Sequence, residues 1–74
     1  MRTYSIVVDP DPESGFTVTV PSLPGCITQG ETLEECVANA QEAISLYIED
    51  LVASGEPVPE ETAHPQLLQV AVAV

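Results

Sequence analysis

Three carboxylates crowd one short stretch, Asp9-Pro-Asp-Pro-Glu-Ser-Gly15, as Asp9, Asp11 and Glu13. Carboxylates at a spacing of two can hold a divalent cation or meet a basic partner. As a calcium loop the stretch is poor, because such loops need more oxygen ligands and a bidentate glutamate. Its prolines, serine and glycine make it a turn by mechanism. A solvated hairpin tip is therefore the first reading, a protein contact the second and a metal site the last. A second set, Glu35, Glu42 and Glu49, recurs every seven residues and falls on one helical face with no basic residue to relieve it. Cys26 and Cys36 fall on interior-facing positions and read as two free, buried thiols. Zinc would need more ligands than these two and the lone His64. His64 reads as an exposed loop residue, since nothing near it in sequence could orient it as a base. No catalytic or cofactor-binding motif is present.

The charge balance narrows the partners. Twelve Asp and Glu face one Arg (Arg2) and no Lys, a formal net charge of −11 on 74 residues. Such a chain has almost nothing with which to neutralise phosphates, so direct nucleic-acid binding is not expected, nor is binding to an anionic membrane. Its self-repulsion costs stability, which a basic partner would relieve. A surface tuned for solubility is the alternative. The apolar fraction of 45% is too high for disorder. No basic-plus-apolar leader opens the chain, so a cytoplasmic location is the default expectation. A chain this short buries only about 60% of its unfolded surface, which makes oligomerisation a common remedy.

The elements that position these groups follow from periodicity. Residues 2–8 alternate, with Tyr4, Ile6 and Val8 on one face. Residues 16–20 alternate more cleanly, with Phe16, Val18 and Val20 together. The two pair as an antiparallel hairpin with these sets buried together. Pro21-Ser-Leu-Pro-Gly-Cys26 is a stiff corner. Pro21 and Pro24 fix φ, Gly25 and Gly30 take positions a side chain would block, and Leu23 anchors the turn on the core. Residues 26–28 form a third short strand. Thr32 then caps a helix of about 22 residues, or about 33 Å. The Thr32 hydroxyl accepts from the Glu35 N–H, and the Glu35 carboxylate reaches back to the Thr32 N–H. Leu33, Val37, Ala40, Ile44, Tyr47 and Leu51 make the apolar stripe, widened by Cys36, Ala43 and Ile48. Gly55 ends the helix and Pro57 prevents its resumption. Leu46 points to the carboxylate side, as a lone exposed leucine or an interface contact. Residues 56–65 form a linker. Residues 67–74 read as a last strand, apolar on both faces, with Leu68, Val70 and Val72 in one row. Such a strand is either central in the sheet or buried against another subunit, and a dimer that uses it is the expectation. The whole is α+β: a two-layer β-β-β-α-β domain over 1–74, with one helix packed on a small, mostly antiparallel sheet.

These residues carry a resemblance. Tyr4 to Val8, Gly15-Phe16, the run from Val18 through Pro21, Leu23, Pro24, Gly25, Cys26, Thr28, Gly30, Glu31 and Thr32 to Glu34-Glu35, then Asn39, Glu42-Ala43-Ile44, and Gly55-Glu56-Pro57 with Pro59 resemble the N-terminal domain of the HicB antitoxin family. The likeness spans about residues 4 to 60. It implies a reduced ribonuclease-H-like fold, homo-oligomers, and pairing with HicA. HicA is a small basic toxin of double-stranded-RNA-binding type that cleaves mRNA and whose catalytic histidine the antitoxin covers. Full-length members usually continue into a DNA-binding module, and no C-terminal module of that kind is expected here. Cys36 and Tyr47 stand where smaller or aliphatic residues would serve.

Three functions compete. An antitoxin-like module would sequester a basic HicA-type toxin through Asp9, Asp11 and Glu13 or through Glu35, Glu42 and Glu49. A solitary oligomeric module would keep the fold and serve another protein partner. A metal-dependent nuclease would need carboxylates converging on two metal ions and a surface that tolerates RNA, neither of which the pattern supplies. The expectation is therefore a non-enzymatic binding module with no cofactor.

Overall fold

The structure is a computed structural model and describes residues 1–62 and 64–74. Three strands, β1 (Val7–Pro10), β2 (Phe16–Thr19) and β3 (Ile27–Gly30), precede one helix, α1 (Leu33–Ala53). The strands form an antiparallel sheet in the order β1-β2-β3, with Val8 opposite Val18 and Val18 opposite Thr28. The helix lies on one face of it. The chain is thus the expected α+β fold, a small antiparallel sheet with a single packed helix.

Local chemistry explains the elements. β1 begins later than the alternation suggests and runs through Asp9 and Pro10, which pair with Thr17 and Phe16. A proline is tolerated there because β1 is an edge strand and its outer side needs no donor. β3 likewise runs on through Gln29 and Gly30, opposite Thr17 and Phe16. The corner after β2 is two successive turns, each with proline in its second position. The Leu23 N–H donates to the Val20 carbonyl, and the Cys26 N–H donates to the Leu23 carbonyl. Gly25 at φ +83° supplies the positive dihedral the second turn needs. Nothing lies within 4 Å of where its Cβ would be, so backbone conformation, not crowding, reserves this position for glycine. At Gly30 crowding is the reason, since a Cβ there would stand 2.8 Å from the backbone nitrogen of Cys36.

Thr32 caps α1 as expected, its hydroxyl accepting from the Glu35 N–H at 3.1 Å. The Glu35 carboxylate reaches one residue further than expected, accepting from the Glu31 N–H at 2.9 Å. Close packing of Gly30 on the first helical turn brings that N–H within range. At the other end the Glu56 N–H donates to the Leu51 carbonyl and the Gly55 N–H to that of Val52, with Gly55 at φ +71°. This pair of bonds is the Schellman arrangement.

The core has two adjoining parts. Val18, Cys36 and Ala40 meet under Ile6, Val8 and Phe16. Val20, Leu23 and Cys26 pack with Tyr4, Ile6, Ala43, Ile44 and Tyr47. The hairpin faces are therefore buried as the alternation requires. Both cysteines are free and buried. The helix, however, is rotated from its expected seating. Cys36 and Ala40 are its buried residues, whereas Leu33 and Val37 are exposed. Small residues let the helix approach the sheet closely at Gly30, and that approach pushes the larger Leu33 and Val37 to the rim. Residues 67–74 do not join the sheet. Leu67, Leu68, Val70, Val72 and Val74 are all exposed.

Candidate functional site

The turn after β1 is held by its own backbone. The Asp11 N–H donates to the Gly15 carbonyl, and the Asp11 carboxylate accepts from the Glu13 N–H. Gly15 sits at φ +72°, against the Gly30 carbonyl and the Glu31 side chain. The hairpin tip is thereby pressed onto the junction between β3 and α1. A shallow cleft of about 260 Å³ results, lined by Asp11, Glu31 and Glu35 with Thr17, Gln29 and Asn39 among its walls. The Asn39 amide donates to the Gln29 carbonyl at 2.7 Å and ties the helix to the edge of β3. Asp9 and Glu13 are exposed beside this end of the sheet.

Tertiary structure thus brings together Asp11 and Glu35, from the two carboxylate sets, and adds Glu31. It separates the remaining helix carboxylates. Glu42 lines a neighbouring shallow cleft with Thr28, Asn39 and Leu46. Glu49 lines a different one with Arg2, Tyr4 and Ile48. Leu46 is exposed on the β3 side, away from Arg2. The one basic side chain among Lys and Arg, Arg2, lies near Glu60 at 3.7 Å, at the opposite end of the first strand from Asp11. The acidic cleft therefore has no internal counter-charge.

What this surface offers chemically is negative charge. No group of three or more His, Cys, Asp or Glu side chains placed to hold a metal ion occurs among the described residues. Burial pushes the Cys26 thiol up, away from the reactive thiolate. No helix among the described residues is long and apolar enough to cross a membrane.

Glu61 is the residue that pattern reasoning missed. It sits in the stretch read as a linker, yet its carboxylate accepts from the Ser5 N–H at 2.8 Å, the Ser5 hydroxyl at 2.5 Å and the Ser22 hydroxyl at 3.1 Å. His64 is exposed but not without an orienting group, because its Nδ1 stands 2.7 Å from Glu61 Oε2, the oxygen that also accepts from the Ser5 hydroxyl. The Tyr4 hydroxyl donates to the Pro59 carbonyl nearby. These bonds fasten the returning chain to the start of the hairpin. The Ser5 hydroxyl and N–H, with lesser help from His64 and Ser22, hold the Glu61 pKa down to about 2, against the opposing effect of burial. The unfolded value is about 4.3. The folded state therefore favours the carboxylate. Its stabilising effect is complete above about pH 5 and is lost as pH falls towards 2. Denaturant midpoints measured across that window should fall more steeply for the unaltered chain than for Glu61→Gln. Comparing the two proteins cancels the general relief of carboxylate repulsion, which acts in the opposite direction. A difference that stays constant with pH would remove Glu61 as the cause.

Fold and surface together define a small, strongly acidic α+β domain with one helix on a three-stranded meander. Comparison with known sequences places it further. The chain belongs to the HicB-like antitoxin family of bacterial toxin-antitoxin systems, whose profile matches residues 4–71. It is 42% identical over 60 residues to a UPF0150 protein of Thermoplasma acidophilum, covering 81% of this chain and 87% of that one. It is 43% identical over 58 residues to a UPF0150 protein of Synechocystis, covering 78% and 73%. It is 31% identical over 75 residues to the protein named Antitoxin HicB of Escherichia coli K12, covering 96% of this chain and 54% of that one.

Proposed function

We propose that this chain neutralises a small basic ribonuclease toxin of the HicA type by docking its acidic cleft on the toxin's RNA-binding face. The observation that carries the reading is the convergence of Asp11, Glu31 and Glu35 on one cleft that has no cation of its own. Asp9 and Glu13 extend the same acidic end, and Glu42 continues it along the helix. A surface that attracts RNA attracts these carboxylates for the same reason, so occupation by one excludes the other. The chain binds protein and performs no chemistry, works in the cytoplasm, and makes no direct contact with nucleic acid.

The test is binding to a purified HicA-type toxin, followed calorimetrically and by protection of an RNA substrate. Between about 0.1 M and 1 M salt the screening length falls from about 10 Å to about 3 Å. The affinity should fall at least about tenfold, or about 1.4 kcal/mol, over that range. Glu13→Lys with Glu31→Lys should weaken the complex by a similar factor or more while leaving the helix signal intact, because neither side chain holds the turn or the cap. A complex that ignores both salt and charge reversal would sink the electrostatic docking. Unimpeded RNA cleavage at saturating chain would sink the toxin reading and leave a solitary module serving another protein partner.

A further inference from the structure

Leu46 is 59% exposed in the middle of α1. A leucine exposed by itself needs no cause. This one stands in a cleft of about 240 Å³ with Thr28, Asn39, Glu42 and Ala43, along the seam between α1 and β3. Asn39 also lines the acidic cleft of Asp11, Glu31 and Glu35. The two clefts therefore adjoin. The seam is acidic at one end, and at the other it sets an apolar side chain beside a carboxylate. From Glu35 to Leu46 the helix advances eleven residues, or about 17 Å.

Given the antitoxin role, on which this rests, we infer that a basic, amphipathic helix of the toxin lies along the seam. An apolar side chain of that helix seats on Leu46, and its Lys or Arg side chains lie over Glu42, Glu35 and Glu31. Charge selects a cationic occupant. Asp11, Glu31, Glu35 and Glu42 line the two clefts, whereas Arg2 lies on a different side of the helix with Ile44, Ser45 and Ile48. A second copy of this chain would bring the same carboxylates to face these, so like charges oppose it. Backbone chemistry selects a helix over an extended strand. The Val20 N–H donates to the Cys26 carbonyl, so by alternation Thr28 and Gly30 turn their backbone groups to β2 and Gln29 turns its own outward. A strand added to β3 would need the Gln29 carbonyl, and the Asn39 amide already holds it at 2.7 Å. A helix makes no such demand, because its backbone is bonded internally and only its side chains enter the seam. Three turns of about 5.4 Å each cover the distance from Leu46 to Glu35. Lys and Arg suit the apolar end as well, since their stems lie on Leu46 while their charged heads reach Glu42.

The experiment measures binding of the full chain to a purified HicA-type toxin. Leu46→Ala should weaken the complex about tenfold, the order expected when the exposed part of one leucine loses its burial. That loss should persist at about 1 M salt, where the loss caused by Glu31→Lys should shrink. Leu46→Met, which keeps the volume, should restore most of the affinity. Leu46 is exposed in the single chain, so circular dichroism and the denaturation midpoint should stay unchanged in both variants. Ile27 is the control. It is 63% exposed, but it alternates with Thr28 and so lies on the sheet face away from the helix. Ile27→Ala should leave the affinity unchanged. A photo-crosslinking residue in place of Leu46 should join a helix of the toxin, with Lys or Arg one or two turns from the linked residue. Toxin binding that weakens with salt yet ignores Leu46→Ala would overturn the anchor and leave the antitoxin reading standing. Failure of the unaltered chain to bind the toxin would overturn both. A cross-link to a toxin strand, or an equal loss from Ile27→Ala, would also overturn the inference.

Discussion

Leu23→Ala lowers the stability of this chain by about 2–5 kcal/mol, the usual cost of emptying a fully buried leucine site. Leu23 is 0% exposed and is the largest of the fully buried side chains. It is held between Val20 and Cys26 and covered by Ile44 and Tyr47 from the helix. The two turns around it are closed by backbone bonds and two prolines, so the walls have little freedom to collapse into the void. The Tyr47 hydroxyl donates to the Pro24 carbonyl at 2.8 Å, which pins the helix to the same corner. At about 0.05–0.15 kcal/mol per residue, a chain of this size has only roughly 4–11 kcal/mol to lose. Urea denaturation should therefore show a large drop in midpoint, or a chain already partly unfolded in buffer. The contrasting case is Leu46→Ala, an exposed site, expected to stay within about 0.5 kcal/mol. If the two substitutions cost the same, the corner is not the keystone of the core.

Gly30→Ala is the second large effect, expected to cost about 1–3 kcal/mol through overpacking. The new methyl would stand 2.8 Å from the Cys36 nitrogen, 3.0 Å from its Sγ and 3.1 Å from the Glu35 carbonyl carbon. Two of those three atoms are backbone, so relief requires the helix to move off the sheet. Such a movement would also disturb the Glu35 bond to the Glu31 N–H and the floor of the acidic cleft. The substitution should therefore weaken toxin binding as well as lower the denaturation midpoint. The companion change Cys36→Ala removes the sulfur contact but not the backbone contacts, and should restore only part of the loss. Full restoration would mean that the sulfur alone sets the spacing.

Much of this protein is legible from short-range signals. The alternation of Phe16, Val18 and Val20, the prolines and Gly25 of the corner, the Thr32 cap and the Gly55 terminator act over a few residues. Each limits the backbone locally, whatever the rest of the chain does. Together they specify a hairpin, a third strand and a capped helix, and the same residues carry the family likeness.

Only the tertiary structure decided the rest. The helical period names an apolar stripe but not which edge of it meets the sheet. The close approach at Gly30 put Cys36 and Ala40 inside and left Val37 on the rim of a groove. Local composition made 56–65 a linker, because Glu61 finds its partners 39 and 56 residues away and no nearby residue foretells them. The carboxylates Asp11, Glu31 and Glu35 became one surface only when the hairpin tip folded onto the helix start. The amino acids of residues 67–74 demand burial, but alternation cannot say against what. In the folded chain Leu67, Leu68, Val70, Val72 and Val74 stand outside the core, which the hairpin, the corner and the helix already fill.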